Sequence, residues 1–422
     1  MAHQINLDAL IPREDFEVND DGGHSSATST LQIRNLEAAD FFYSVVRKPD
    51  FQRETSDWSP PKICGFIQSF LDGDLIPALI LWQAGNHIFV IDGAHRLSAL
   101  IAWVHDDYGD GVTSKKFFDG VIPEEQNAAA EYTRNLIKRQ IGSYADHQFA
   151  VIHPDKSKPE VVERARRLGR LAIQLQWVQG DATKAEASFF KINQQATPID
   201  ATELRLLKSR KLPNALAARA IVRSGTGHKY WSYFEANRKL EIETIAKGIN
   251  ELLFAPSLKT PIKTLDLPVA GKGYSAQTLP LVFEYVNLVN GVKADASPAE
   301  DKTGDATYSM LKVCKKIVDR ISGTHPSSLG LHPVVYFYSS TGRYQPTAFL
   351  AVAALMLDFE RSGRFREFTQ VRGRFEGFLL SHKLLVNQVT VKYGSGAKGH
   401  VRLKQLFAFL VDAFAKGQTE GE

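Results

Sequence analysis

Two runs decide the fold: Ile76-Pro77-Ala78-Leu79-Ile80-Leu81-Trp82, and after Gly85-Asn86, His87-Ile88-Phe89-Val90-Ile91-Asp92-Gly93-Ala94-His95-Arg96. The first reads as a buried strand, Gly85-Asn86 as a hairpin turn, and His87–Ile91 as the returning strand. Leu97-Ser98-Ala99-Leu100-Ile101-Ala102-Trp103 then reads as a helix. Residues 75–104 therefore predict strand, turn, strand, tight loop, helix.

The tight loop is the sharpest chemical feature. A small-residue turn lets backbone approach a ligand, and the helix that follows offers free N–H groups and the positive end of its dipole. Arg96 can grip a phosphate with two hydrogen bonds, and His95 adds a donor. Asp92 has three readings: magnesium ligand, orienter of the arginine, or helix cap. The chemistry suits a phosphate group, of a nucleotide or of DNA. The competing reading is a capped strand-to-helix turn with incidental charges.

Outward from this core, Pro60 and Pro61 open a helix with Ser59 as its cap and Ile63, Phe66, Ile67 and Phe70 on one face. Residues 171–178 alternate at Leu171, Ile173, Leu175 and Trp177 and predict another strand. Asp181 or Thr183 starts a helix carrying Phe189, Phe190 and Ile192 and ending near Asn193. From Ala201 onward helical spacing dominates, near 201–210, 214–223, 240–254, 276–290, 307–321, 346–360, 363–380 and 400–415. Residues 18–30 combine Asp, Gly and Ser without an apolar period, so ordered chain is expected from near Leu31.

The 422 residues carry 44% hydrophobic and 23% charged residues, which excludes a disordered chain, a coiled-coil rod and a small disulfide scaffold. The net charge of +4 conceals asymmetry. Residues 1–60 hold 5 basic and 11 acidic residues, residues 161–223 hold 12 and 5, and residues 361–404 hold 10 and 2. Such segregation points to an anionic partner, nucleic acid first. On helices Arg164 with Arg167, and Lys208 with Lys211, can share faces, and with Arg210 they are the candidates for contacts to the DNA backbone. The 2 cysteines, Cys64 and Cys314, form no CxxC pair. The longest apolar run, Ala348–Leu357, falls short of the about 20 residues of a membrane span, so a cytoplasmic protein without membrane contact is expected.

Four ordered elements make a resemblance. These are Phe51-Gln52-Arg53 with Trp58; Ile67-Gln68-Ser69-Phe70 leading to Asp74-Leu75-Ile76-Pro77; Ile91-Asp92-Gly93-Ala94-His95-Arg96; and Phe190-Lys191-Ile192-Asn193 with Glu203-Leu204-Arg205. Together, over roughly residues 41–210, they resemble the N-terminal domain of GmrSD-type restriction enzymes, within the wider ParB/sulfiredoxin-like fold. The resemblance implies an α+β protein, a ParB/sulfiredoxin-like N-terminal domain followed by a mainly α-helical C-terminal region. The expected domains are an acidic, partly mobile segment at 1–40, a nucleotide- or phosphate-binding domain at 41–200, and a helical domain at 201–422.

The same resemblance implies a nucleotide-binding, DNA-interacting protein acting in defence against foreign DNA, with NTP and Mg²⁺ as its cofactors and NTP hydrolysis as its activity. Carried over by motif, Arg53, Gly93, His95, Arg96 and Asn193 would bind the nucleotide. Asp92, His95 and Arg96 would carry the chemistry, and Asp92 would hold the metal. The family's Gln stands here as Ala94, which weighs against fast hydrolysis; with no cysteine in the loop, the sulfiredoxin reaction lacks its nucleophile. Two alternatives stay open: a non-enzymatic DNA-binding regulator like the repressors with an Asp-Gly-Gln-His-Arg loop, and a ParB-fold nuclease. Residues 211–422 show no His-Asn-His nuclease signature, so a separate partner nuclease is expected. The three tyrosines of residues 329–350 read better as core than as a base-stacking surface.

Overall fold

The computed structural model describes all residues except 1–4, 15–27, 50–51, 53–54, 56–57, 118–121, 123, 197–204, 207, 210, 226–230, 232, 259–261, 274–277, 294–295, 297, 395–396 and 419–422. It also leaves undescribed the side chains of 125, 193–196 and 397–398. The chain divides into two compact units, Met1–Lys208 and Ser209–Glu422. Among the described residues, no helix is long and apolar enough to cross a membrane. The protein is α+β: a mixed sheet with helices in the first unit, helices in the second.

Six strands build the sheet: β1 (Arg13–Glu14), β2 (Thr30–Gln32), β3 (Val46–Pro49), β4 (Leu79–Ala84), β5 (His87–Asp92) and β6 (Ala172–Trp177). Their order is β1-β3-β5-β4-β6-β2. The β4–β5 hairpin is antiparallel across Gly85-Asn86, and β3 and β6 join it in parallel on either side.

The strand sequences follow from what covers them. Leu79, Leu81 and Val90 pack into the main core with helices α2 (Pro60–Asp72) and α3 (Ala94–His105). Trp82, Ala84, Phe89 and Ile91 face the other way, onto Ala185 and Phe189 of helix α8 (Ala182–Ala196). Both faces of β4 and β5 are covered, so both strands are mainly apolar, with Gln83, His87 and Asp92 toward their ends. In β6, Ile173 and Leu175 are buried while Gln174 and Gln176 are exposed, and the sequence alternates accordingly.

Local signals differ in detail from the sequence reading. Asp181, not Thr183, caps α8: its carboxylate accepts from the Lys184 amide at 2.9 Å, and the helix runs three residues past Asn193 to Ala196. Ser59 stands at the start of α2 without a side-chain cap, and Pro60 and Pro61 fill the first turn.

The N-terminal segment departs furthest from expectation. Ordered chain begins well before Leu31: Ile5, Leu7, Leu10 and Ile11 are buried in the main core, and Arg13–Glu14 forms the sheet's edge strand. The amides of Ile5 and Leu7 donate to the carbonyls of Trp58 and Thr55 at 3.1 and 2.8 Å. The apolar residues at 5, 7, 10 and 11 carry this packing; the Asp/Gly/Ser run at 18–27 lies outside the described residues.

The second unit packs helices Pro213–Val222, Ala236–Phe254, Thr278–Val289, Asp305–Ser322, Pro346–Ser362, Phe365–Ser381, Lys383–Tyr393 and Ala397–Ala415. In its polar-aromatic stretch Tyr336, Phe337 and Tyr338 are buried and Tyr344 is half-buried.

Candidate functional site

The strand-to-helix loop is built by one residue that must be glycine. Gly93 lies at φ +97°, and a Cβ there would stand 2.3 Å from Leu79 Cδ2. Helix α3 starts at once, with no side chain capping its N-terminus. Its first-turn amides and positive dipole end are therefore available to an anion. Ala94, the departure from the family's Gln, is 7% exposed and belongs to the main core.

Of the three readings of Asp92, the second, orienter of the arginine, has a contact behind it. Asp92 Oδ2 accepts from Arg96 Nη2 at 2.6 Å, across one turn. The other guanidinium nitrogen donates to the Pro77 carbonyl and, at 3.2 Å, to that of Ala78. Arg96 thus ties the loop to the entry of β4, and in this geometry its donors are turned to protein rather than to an open phosphate site. Among the described residues Asp92 bonds Arg96 through Oδ2 and not through Oδ1.

His95 stacks on Trp58, ring centroids 5.8 Å apart and planes 25° from parallel. Trp58 in turn meets Phe66 edge-on at 5.5 Å, and the Lys62 ammonium lies over the indole at 4.8 Å. The uncapped helix end, an aromatic platform and a cation therefore converge beside Gly93. Sequence reading missed Lys62; its signal was the four-residue spacing from Trp58 across the Pro-Pro helix start.

Arg53 lies outside the described residues, but the chain on both sides of it is held. Asp8 Oδ1 accepts from the Thr55 amide at 3.1 Å, and Arg13 donates to the carbonyl of Gln52. Asp8 also takes Lys48 at 2.5 Å and Arg13 at 2.9 Å, all within the interior. Gln52, 7% exposed, donates from Nε2 to the Val90 carbonyl at 3.2 Å, while its buried Oε1 has no partner among the described residues. Asp8, Arg13 and Lys48 were not singled out from sequence, and Gln52 entered only within the Phe51-Gln52-Arg53 element.

Asn193 lies within α8, its side chain outside the described set. The DNA-face candidates fall in both units. Arg164 bonds Asp72 at 3.1 Å with its side chain 16% exposed, and Arg167 pairs with Glu163. Lys208 ends the first unit and Lys211 lies in the second, while Arg210 lies outside the described residues. Arg166 and Arg170, on the same segment, are exposed.

Among the described residues, no group of three or more His, Cys, Asp or Glu is placed to hold a metal ion. Asp92 Oδ1 fits the narrower role of one protein ligand to a magnesium ion whose other ligands are phosphate and water.

Residues 33–210 match the family model described as GmrSD restriction endonuclease, N-terminal domain. No curated protein and no solved structure matches the chain. The match ties the protein to restriction and defence, and so to interaction with DNA. Strands β3 to β6 and the Asp92–Arg96 loop lie inside the matched span, β1 and β2 before it, and residues 33–210 belong to the GmrSD N-terminal domain family.

Proposed function

We propose that the first unit binds a nucleoside triphosphate at the start of α3, in a DNA-directed defence protein that leaves cutting to a partner nuclease. The observation that carries this reading is the uncapped α3 N-terminus flanked by the Trp58–His95 stack and Lys62. A phosphate chain would accept from the first-turn amides and from His95, with Lys62 and Arg53 neutralising it. With Lys62 drawn from over the ring onto the phosphates, the indole would take a base or ribose, and Gln52 Oε1 would accept from a ligand hydroxyl or amino group.

Arg96 acts by holding Asp92 and the β4 entry in place. Asp92 Oδ1 would hold Mg²⁺, which on binding would offset phosphate charge and polarise the terminal phosphoryl group. Where hydrolysis follows, His95 is the group beside the loop able to move a proton.

Calorimetric titration of the full chain with ATP, GTP, CTP and UTP, with and without Mg²⁺, tests the proposal. Binding of at least one nucleotide is expected, weakened about tenfold or more by Lys62→Ala and by His95→Ala, each costing about 1.4 kcal/mol or more. Asp92→Asn should remove the Mg²⁺ dependence while Mg²⁺-free binding persists. Nucleotide affinities identical to the parent in all three variants would reject this site. Binding of DNA in place of nucleotide, lost in the same variants, would instead favour the regulator that grips DNA phosphates at the loop.

A further inference from the structure

The second unit carries a surface that neither the family match nor the Asp92 loop accounts for. Between Glu376 and Asp412 the chain runs thirty-five residues without an acidic side chain, yet it holds Lys383, Lys392, Lys398, Arg402 and Lys404. Two of these are spent internally. Lys383 donates to the carbonyls of Val335 and Tyr338 at 2.8 and 2.7 Å, and Lys404 bonds Asp358 at 2.6 Å.

Lys392 and Arg402 are placed differently. Among the described residues neither pairs with a carboxylate; both lie over the ring of Tyr393, at 5.5 and 5.7 Å from its centroid. Arg402 makes one further bond, to Gln405 Oε1 at 3.0 Å. Tyr393 is 41% exposed, Val391 two residues before it 87%, and Val401 eight residues after it 43%. Gly394, at φ +83°, follows Tyr393, and helix Ala397–Ala415 begins three residues on. A Cβ on Gly399 would meet the Gly394 carbonyl at 2.0 Å, so the helix's first turn closes directly against the residue after Tyr393.

We propose that this corner binds single-stranded nucleic acid, a base stacking on Tyr393 and the flanking phosphates pairing with Lys392 and Arg402. The inference rests on the DNA-interacting reading and assigns it a place. An exposed cation–π contact is weaker than a stacked base, so a base displaces a cation from the ring at a net gain. The displaced cation then meets a phosphate and releases its counterion. A duplex hides its base faces from a lone ring, and an acidic peptide satisfies the cations while leaving the ring and valines in water. The absence of carboxylates across the segment removes the repulsion that would keep a polyanion away.

The test is fluorescence anisotropy with the full chain and labelled dT20, rU20 and a 20-base-pair duplex, each over a salt series, with polyglutamate as competitor. The two single strands distinguish DNA from RNA as the source of the same chemistry. Tyr393→Ala should weaken dT20 or rU20 binding about tenfold, and Tyr393→Trp should preserve it. The pair Lys392→Ala with Arg402→Ala should lower the salt slope by about one to two. Wild-type affinity in Tyr393→Ala would overturn the assignment of this corner while leaving DNA interaction standing. Duplex preferred over both strands, or full displacement by polyglutamate, would overturn it as well. Absence of binding to all three probes would overturn the DNA-interacting reading along with it. Circular dichroism on each variant separates lost binding from lost folding.

Discussion

The carboxylate of Asp8 and the ammonium of Lys48 meet 2.5 Å apart with neither side chain exposed to solvent. Arg13 completes the cluster at 2.9 Å from the same oxygen of Asp8, and Thr55 Oγ1 accepts from Lys48 at 3.0 Å. Burying such charges is costly, and the cost is met only while every partner stays in place. The cluster fastens three separated pieces of chain: the N-terminal segment, β3, and the segment leading to Trp58.

Asp8→Asn is expected to destabilise the first unit by about 3–5 kcal/mol, because Lys48 and Arg13 are left buried against a neutral amide. Pairing it with Lys48→Met should recover a large part of that loss. Urea denaturation of both variants measures it; a single mutant as stable as the parent would show that the cluster bears no weight. The same single mutant should weaken nucleotide binding, since Asp8 holds the backbone on one side of Arg53.

The hairpin, its loop and α3 were legible in sequence because local signals agree there: two apolar runs, a Gly-Asn turn, and a glycine before a helix-forming run. The cluster at Asp8 was not. Strand β1 has two residues, β3 reads Val-Arg-Lys-Pro, and neither shows a period. Lys48 is buried at 0% in a position where pattern reading assigns a lysine to the surface. Lys62 and Gln52 escaped for a related reason: the Trp58 stack and the Val90 carbonyl reach them only through tertiary packing.

Gly93→Ala tests the loop's backbone. The left-handed conformation at φ +97° costs an alanine roughly 1–3 kcal/mol. The new methyl would also force Leu79 from its place, since the two would stand 2.3 Å apart. The variant should unfold at lower urea and lose nucleotide binding together. Retained affinity in a variant with an unchanged midpoint would mean that the loop relaxes freely and that the glycine is dispensable.

Arg96 separates bracing from gripping. With Asp92 at 2.6 Å and two carbonyls of the β4 entry as partners, its removal is expected to cost about 1.5–3 kcal/mol of stability. Arg96→Lys should restore little of it, because one ammonium cannot span the fork the guanidinium fills. A phosphate-gripping arginine would show the reverse: unchanged urea midpoint in Arg96→Ala, with affinity lost and partly returned by lysine.

His147 gives the first unit a pH dependence. It is 1% exposed, its Nδ1 bonds the Ser143 carbonyl at 2.8 Å, and its ring meets Trp103 edge-on at 5.2 Å. Burial holds its pKa below the ordinary 6.5, so the folded chain keeps the ring neutral where the unfolded chain takes up a proton. Stability from this group is complete above pH 6.5 and declines as pH falls from there toward the depressed folded value. The melting temperature should therefore drop between pH 6.5 and 5. In His147→Phe, which keeps an aromatic ring against Trp103 but cannot be protonated, that drop should be shallower, even if the variant starts lower for want of the Ser143 bond. Parallel melting curves for the two proteins across pH 5–8 would remove His147 as the source.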